Sequence, residues 1–200
     1  MAETITDKIV SHVLKKINSL SANLSSSGTK ATLAVLRRGA GKAPGEMPEL
    51  WGSFLEEMPE ALIGKDNKPS QAEWAVYTTL VMYALHQQGN DIPMNDSDSE
   101  TSNSLGTAVG KLISTDEDLE RILRRFNVMA TSADMMELSH HLRTIINLLK
   151  SQKITLNYGR LAKDLYWYQS DSQRANVRLQ WGRDFYKQIY KTEKGKENEQ

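Results

Sequence analysis

The sequence contains no cysteine. This absence excludes disulfide bonds, thiolate catalysis and cysteine-ligated zinc, and it agrees with the reducing cytoplasm, where we expect the protein to reside. Long apolar runs are also lacking: none approaches the roughly 20 residues that a bilayer-spanning helix needs, so we predict no membrane contact. The N-terminal stretch MAETITDKIVSHVL carries acids and has no long apolar core, so it lacks the pattern of a signal peptide.

The chain as a whole has no excess of one charge sign, since 25 Lys and Arg balance 25 Asp and Glu. The two signs are nevertheless segregated along the sequence. Residues 43–100 hold eleven acids against two basic residues, whereas residues 121–191 hold thirteen basic residues against five acids. This asymmetry indicates a nucleic-acid contact or a polar assembly interface. Two solvated surfaces of opposite sign are the remaining alternative.

Clean alternation of apolar and polar residues is scarce, and apolar residues recur instead at helical spacing. The sequence therefore predicts an all-α protein of eight or nine helices, arranged as two small packed bundles. The predicted divisions are an N-terminal bundle (1–93), an acidic mobile linker (94–104), a basic C-terminal bundle (105–190) and a disordered tail (191–200).

Local signals place the helices of the N-terminal half. The pattern over residues 5–20 predicts the first helix, and Thr29 is predicted to cap the second. Ser70 and Glu73 have capping-box spacing. The helix that follows them is apolar nearly all round, so we expect it at the centre of the fold. Short helices over residues 46–63 are expected to bury Trp51, Phe54 and Leu55.

The C-terminal half shows clearer periodicity. Ser114 or Thr115 is predicted to cap a helix over residues 116–128, and Asp134 a helix that runs to about residue 150. The apolar side of the last helix is expected in the core, and so is one further tryptophan of the preceding helix. These core residues are Val177, Trp181, Phe185 and Ile189, with Trp167.

Catalytic patterns are absent from the sequence. The four histidines show no HExxH arrangement, and no group of acids has metal-ligand spacing. The stretch GAGKAPG is not a phosphate-binding loop, because Leu36 stands where its first glycine is required and Ala43 where it needs Ser or Thr. We therefore predict no active site, no metal and no cofactor.

Helical spacing groups the basic residues in ways that suit phosphate contacts without sequence reading. Arg121, Arg124 and Arg125 share one helix face, where their mutual repulsion costs a few tenths of a kcal/mol per pair. A single pair of this kind is more often a solvated surface, but several groups with few intervening acids favour nucleic acid. The predicted contact residues are Arg121, Arg124, Arg125, Arg143, Arg174, Arg178, Arg37, Arg38 and Lys42.

Two further features belong to the same basic region. Arg183 and Lys187 repeat the spacing of four residues. Aromatic side chains near them are candidates for stacking on unpaired bases, although core burial explains Trp181 and Trp167 better. The aromatic candidates are Tyr166, Trp167, Tyr168, Trp181, Tyr186 and Tyr190.

The order of several motifs resembles the CasB family, the small subunit of the type I-E CRISPR surveillance complex, Cascade. The motifs are LAVLRRGAGKAPGEMPELW, WAVYTTLVMYALHQQ, SLGTAVGKL, LERILRRF, HHLRTIINLLKSQKITLNYGRLAKDLYWY and VRLQWGRDFY. The likeness spans about residues 30–190; the N-terminal helix and the acidic segment before SLGTAVGKL diverge from it.

The resemblance implies a non-enzymatic all-α protein that acts inside Cascade. Its implied partners are the backbone subunits that coat the guide RNA, the large PAM-reading subunit and a second copy of itself. Its implied ligand is the displaced single-stranded non-target DNA of the R-loop. On this interpretation Arg37, Arg38 and Lys42 face guide RNA, target strand or a neighbouring subunit, and the acidic segment 43–100 faces basic patches of other subunits or of the second copy.

Two other functions stay open at this point. One is a helical protein–protein interaction module, in which the arginines pair with acidic subunits. The other is a DNA-binding regulator, which needs a recognition helix after a short turn. GAGKAPG and GNDIPMNDSDSETSNS do not supply such a turn.

Overall fold

The structure is a computed structural model that describes residues 3–96 and 103–197, with side chains up to residue 192. Nine α-helices and two short 3-10 turns account for most of these residues, and the predicted all-α fold is confirmed. The helices are α1 (Ile5–Ser21), α2 (Ser27–Arg38), α3 (Trp51–Phe54), α4 (Gln71–Gln87), α5 (Leu105–Gly110), α6 (Asp116–Ala130), α7 (Met135–Ser151), α8 (Tyr158–Tyr168) and α9 (Asp171–Glu197).

Helix starts follow local capping chemistry. Ser70 Oγ accepts the Glu73 N–H at 3.0 Å, and Glu73 Oε2 accepts the Ser70 N–H at 2.6 Å, so the predicted capping box is confirmed. The prediction for α2 was wrong, because Ser26 is its cap and accepts the Thr29 N–H at 3.0 Å. Serine and threonine are both favoured as helix caps, and the stretch from Ser25 to Thr29 offers four of them.

Helix α4 lies at the centre of the fold, as its sequence predicts. Its residues are buried on every side from Ala75 to Gln87, and it packs against α1, α2, α7 and α8. Near its end, His86 Nδ1 lies 2.9 Å from the Tyr158 hydroxyl of α8. Burial lowers the pKa of His86 to about 4, so this ring is neutral at pH 7.

One hydrophobic core joins the two halves of the chain. Buried side chains from α1 to α9 form a single cluster, and α1 packs on α8 as α4 does on α7. The two groups of helices are therefore packed on each other, while the division of the chain into bundles 1–93 and 105–190 stays a prediction.

The segment predicted as a mobile linker is held at both ends. The Asp96 N–H donates to the Leu156 carbonyl at 3.0 Å, and the Leu156 N–H donates to the Met94 carbonyl at 3.0 Å. After the gap, the Asn103 carbonyl accepts the Asn157 N–H at 3.0 Å. The rest of the predicted linker, residues 97–102, lies outside the described residues.

The C-terminal end and two tryptophans differ from what the sequence predicts. Helix α9 continues to Glu197, past the position where we predicted the tail; residues 198–200 lie outside the described residues. Trp51 and Trp167 are 49% and 37% exposed, not core. In each case the buried stripe passes beside the tryptophan: Leu50 and Phe54 are buried around Trp51, and Leu161, Leu165 and Tyr168 follow the buried side of α8.

Candidate nucleic-acid interface

Helix α6 presents the arginines that the sequence groups first. Its apolar stripe buries Ile122, Phe126 and Met129, and Phe126 packs against Phe185 of α9 with ring centroids 5.4 Å apart. Because this stripe is buried, the opposite side of α6 faces solvent. Three of the exposed residues are arginines, and we call them the α6 arginine face: Arg121, Arg124 and Arg125. Glu117, Glu120 and Val128 are also exposed on this helix.

The α6 arginine face is only partly neutralised from within. Arg121 Nη2 lies 2.5 Å from Asp118, and Arg124 Nη2 lies 2.9 Å from Glu120. Exposed pairs of this kind contribute little stability, in general below about 1 kcal/mol, so both guanidinium groups are free to exchange partners. Arg125 is exposed and has no hydrogen bond or ion pair within the described part of the chain.

Arg143 of α7 is a second exposed cation near this region. It is exposed and has no partner among the described side chains. Its helix packs directly on α6. Farther along α7, Lys150 Nζ is 3.5 Å from Gln88 Oε1, a weak contact to the end of α4.

Arg174 and Arg178 are half-buried and bind groups of the protein itself. Their guanidinium carbons lie 5.5 and 5.4 Å from the centroid of the Tyr168 ring. Arg174 Nε donates to the Tyr168 carbonyl at 2.9 Å, and Arg178 Nη2 donates to the Tyr168 hydroxyl at 3.0 Å and to the Ser132 carbonyl at 3.2 Å. The two arginines do share a helix face, but that face joins α9 to α8 and to the α6–α7 turn.

Arg37, Arg38 and Lys42 form a separate group at the end of α2. Arg38 is paired with Glu49 at 3.5 Å, Lys42 is exposed, and Arg37 is half-buried. Arg37 lines an open groove of about 380 Å³ together with Lys30 and Asp91. Helix α2 packs on α4. This group therefore belongs to a different helix from the α6 arginine face.

Sequence reasoning missed the polar centre of the C-terminal half, Asp184. Its carboxylate accepts hydrogen bonds from the Ser104 hydroxyl at 2.6 Å, from Arg160 at 2.8 Å and from Gln180 at 2.8 Å. Ser104 caps α5, so one carboxylate ties α5, α8 and α9 together. A single aspartate in a basic stretch belongs to no sequence pattern that predicts this role.

The preceding turn of α9 adds a second contact to a carboxylate. Trp181 Nε1 donates to Asp164 Oδ2 of α8 at 2.8 Å. Burial raises the pKa of Asp164 to about 6, and the hydrogen bond from Trp181 opposes that rise.

Helix α5 lies against α9 with almost no space between the backbones. A Cβ atom added at Gly106 would overlap the Trp181 carbonyl oxygen and lie 2.9 Å from Asp184 Cβ. One at Gly110 would lie 2.8 Å from Gln188 Cβ. Two glycines four residues apart face the same side of a helix, and this spacing is the signal from which the contact could have been predicted.

The histidines have structural surroundings. His12 Nε2 lies 2.9 Å from the Phe54 carbonyl in the core, and burial lowers its pKa. His140 is exposed, and His141 lies 3.9 Å from Glu137. In the described ranges no three His, Asp or Glu side chains are placed to hold a metal ion, and no helix there is both long and apolar enough to cross a bilayer.

Comparison with known proteins gives consistent matches. The profile of the CRISPR-associated protein Cse2 family matches residues 32–186. The crystal structure of CasB from Thermobifida fusca is 32% identical, with a TM-score of 0.75 over 89% of this chain and 97% of that one. A search of the curated proteins finds none that matches.

More distant structures share the fold. A chain of a CRISPR RNA-guided surveillance complex is 19% identical, with a TM-score of 0.69 over 94% of this chain and 98% of that one. CasB from M. ruber is 22% identical, with a TM-score of 0.63 over 90% and 97%. At these identities the likeness concerns the fold alone.

Proposed function

Because this chain belongs to the CRISPR-associated Cse2 family, we propose that it is a non-catalytic small subunit of a type I-E Cascade complex. In that complex it stabilises the R-loop by holding the displaced non-target strand. The backbone subunits beside the guide RNA, the large subunit and a second copy of this chain are its partners. The α6 arginine face carries the proposal, since it places three exposed cations on one side of a rigid helix.

The energetics of R-loop formation explain why such a surface matters. Exchanging a DNA duplex for an RNA–DNA duplex is nearly balanced in free energy. The displaced strand re-anneals unless something retains it. Phosphate contacts retain it without reading sequence, and each contact makes the affinity fall with added salt.

The contacts of the nine predicted residues divide them into three sets. Arg121, Arg124, Arg125 and Arg143 are exposed on α6 and α7, and we assign them to the displaced strand. Arg37, Arg38 and Lys42 form a second set, which we assign to guide, target strand or a neighbouring subunit. Arg174 and Arg178 have internal partners, so we assign them no nucleic-acid contact.

Replacing Arg121, Arg124 and Arg125 together by glutamine is expected to shorten the R-loop lifetime about tenfold or more in the assembled complex. Glutamine keeps helix propensity, so α6 should stay folded. The slope of log lifetime against log salt should become shallower by up to about 2, because single-stranded contacts each contribute about 0.7. Lifetimes across a salt series, on one target DNA, measure both effects.

The control removes two exposed cations elsewhere, Lys65 and Lys68, which lie in the acidic half of the chain. Their glutamine variants should leave lifetime and slope unchanged. An unchanged slope in the α6 variant, together with loss of the subunit from the complex, would contradict the proposal and assign these arginines to a protein interface.

A second surface suits the assembly contacts. Trp51 is 49% exposed, and acids surround it in sequence. Tryptophan is enriched where interfaces derive most of their binding energy, so we call this region the Trp51 surface and assign it to a basic patch of another Cascade subunit or of the second copy. Its acids are Glu49, Glu56, Glu57 and Glu60.

Replacing Trp51 by alanine, or reversing Glu56, Glu57 and Glu60 to lysine, is expected to reduce the number of copies per complex. Lys15 lies 3.0 Å from Glu57 and Lys16 lies 3.6 Å from Glu56, so the tryptophan variant is the cleaner test. Trp167→Ala is the matched control, because Trp167 is also exposed. Native mass spectrometry gives the stoichiometry; full incorporation of the Trp51 variant would refute this assignment.

A further inference from the structure

Helix α9 has an inner and an outer side of different chemistry. Val177, Trp181, Phe185 and Ile189 are buried on the inner side, which packs against α5 and α8. Four residues lie on the opposite side at helical spacing and are exposed to solvent. We call them the α9 outer face: Arg183, Tyr186, Lys187 and Tyr190.

The two tyrosines of this face are open to a ligand. Tyr186 is 44% exposed and Tyr190 is 59% exposed. Their ring centroids are 6.5 Å apart and the ring planes differ by 34°. Phe185 contacts the Tyr186 ring edge to face, with ring centroids 5.2 Å apart. Neither hydroxyl forms a hydrogen bond within the described residues, so the fold itself does not account for these side chains.

No described acid balances the charge of the α9 outer face. Arg183 and Lys187 have no ion pair among the described side chains, in contrast to Arg121 and Arg124 on α6. The acid in this part of the helix, Asp184, is turned inward and is bound by Ser104, Arg160 and Gln180. Two positive charges therefore alternate with two aromatic rings along one exposed strip.

We propose that the α9 outer face is a stacking platform for single-stranded nucleic acid. Tyr186 and Tyr190 stack on two unpaired bases, and Arg183 and Lys187 contact the phosphates beside them. Positive charge with interleaved aromatic rings is the combination that binds single strands without sequence preference. Tyrosine and arginine are also enriched at protein interfaces, so a protein partner is the alternative that the test distinguishes. The inference deepens the proposed function by naming where the displaced strand lies.

The test uses the full chain and a labelled oligodeoxythymidine, with fluorescence anisotropy as the readout. The Tyr186→Ala/Tyr190→Ala variant should bind at least about thirtyfold more weakly, because two stacked bases contribute about 1–3 kcal/mol each. Tyr186→Phe/Tyr190→Phe keeps both rings and should bind within about twofold of wild type. Leu179→Ala, an exposed apolar change on the same helix, is the control for general effects on α9.

Salt dependence separates stacking from charge. The alanine variant should keep the wild-type salt slope, whereas Arg183→Gln/Lys187→Gln should make it shallower by about 1.4, at about 0.7 per phosphate contact. Absence of measurable binding by the wild-type chain, equal loss in the phenylalanine and alanine variants, or unchanged binding in the alanine variant each overturns the proposal.

The experiment does not depend on the α6 result. Tyrosine-dependent binding with an unchanged R-loop lifetime in the α6 variant would retain the platform and refute the α6 assignment. If the Tyr186→Ala/Tyr190→Ala variant is lost from the complex while its oligonucleotide binding is unchanged, the α9 outer face is a protein interface instead.

Discussion

Replacing Gly106 by alanine is expected to lower the melting temperature by about 6–12 °C. The added methyl group would overlap the Trp181 carbonyl oxygen and press on Asp184. A backbone atom of a helix cannot rotate away, so α5 and α9 must separate. Overpacking of this kind costs about 3 kcal/mol at the upper end of its usual range, and about 2–4 °C are lost per kcal/mol in a chain of this size.

Gly182 offers the matched control within α9. A Cβ atom there meets no other atom within 4 Å, and alanine is a better helix former than glycine by up to about 1 kcal/mol. Gly182→Ala should therefore leave the melting temperature unchanged or raise it by a few degrees. Thermal unfolding followed by circular dichroism distinguishes the two. Equal changes in melting temperature at both positions would show that the short distance between α5 and α9 does not determine the cost of an alanine at residue 106.

Removing the Asp184 carboxylate, as Asp184→Ala, is expected to lower the free energy of unfolding by about 3 kcal/mol. Its side chain is 15% exposed and that of Arg160 is 23% exposed. The variant removes the carboxylate that accepts hydrogen bonds from Arg160 and from the Ser104 hydroxyl. Urea unfolding, extrapolated to water, measures the change.

Asp171→Ala is the control for Asp184, since Asp171 is 95% exposed in its pair with Arg174; we expect a cost below about 1 kcal/mol. A double-mutant cycle with Arg160→Met should give a coupling of about 1 kcal/mol or more between Arg160 and Asp184. If Asp184→Ala costs no more than Asp171→Ala, the carboxylate does not hold α5, α8 and α9 together.

Features that depend on nearby residues could be predicted from the sequence. The Ser70–Glu73 capping box involves four consecutive residues, and the structure has it as predicted. The central position of α4 follows from its composition, because a helix that is apolar all round must be surrounded. The inner side of α9 follows from the spacing of Trp181 and Phe185, which are both buried.

Features that depend on which element meets which could not be predicted in this way. Spacing shows that Arg174 and Arg178 share a face, but not that Tyr168 occupies that face. Hydrophobicity alone predicts Trp51 and Trp167 in the core, but the buried stripe passes beside each of them. On α6, in contrast, Asp118 and Arg121 are three residues apart and Glu120 and Arg124 four, so the sequence alone predicts both pairs.

The motifs that carry the resemblance turn out to meet each other in space. Gly106 of SLGTAVGKL contacts Trp181 of WGRDFY, and Asp184 of WGRDFY binds Arg160 of YGRLAKD. These residues specify packing. The same motifs also contain exposed residues, such as Arg125 of LERILRRF and Arg183 of WGRDFY, that no contact within the fold explains.

The contact between α5 and α9 also restricts the order in which the chain acquires its structure. Helices α6, α7 and α8 lie between the two partners in sequence, and α1, α4, α7 and α8 contact one another without α9. During synthesis, the glycine side of α5 has nothing to pack against until the last helix has left the ribosome. Because α9 is synthesised after α1 to α8, closure of α5 onto α9 completes this core during synthesis.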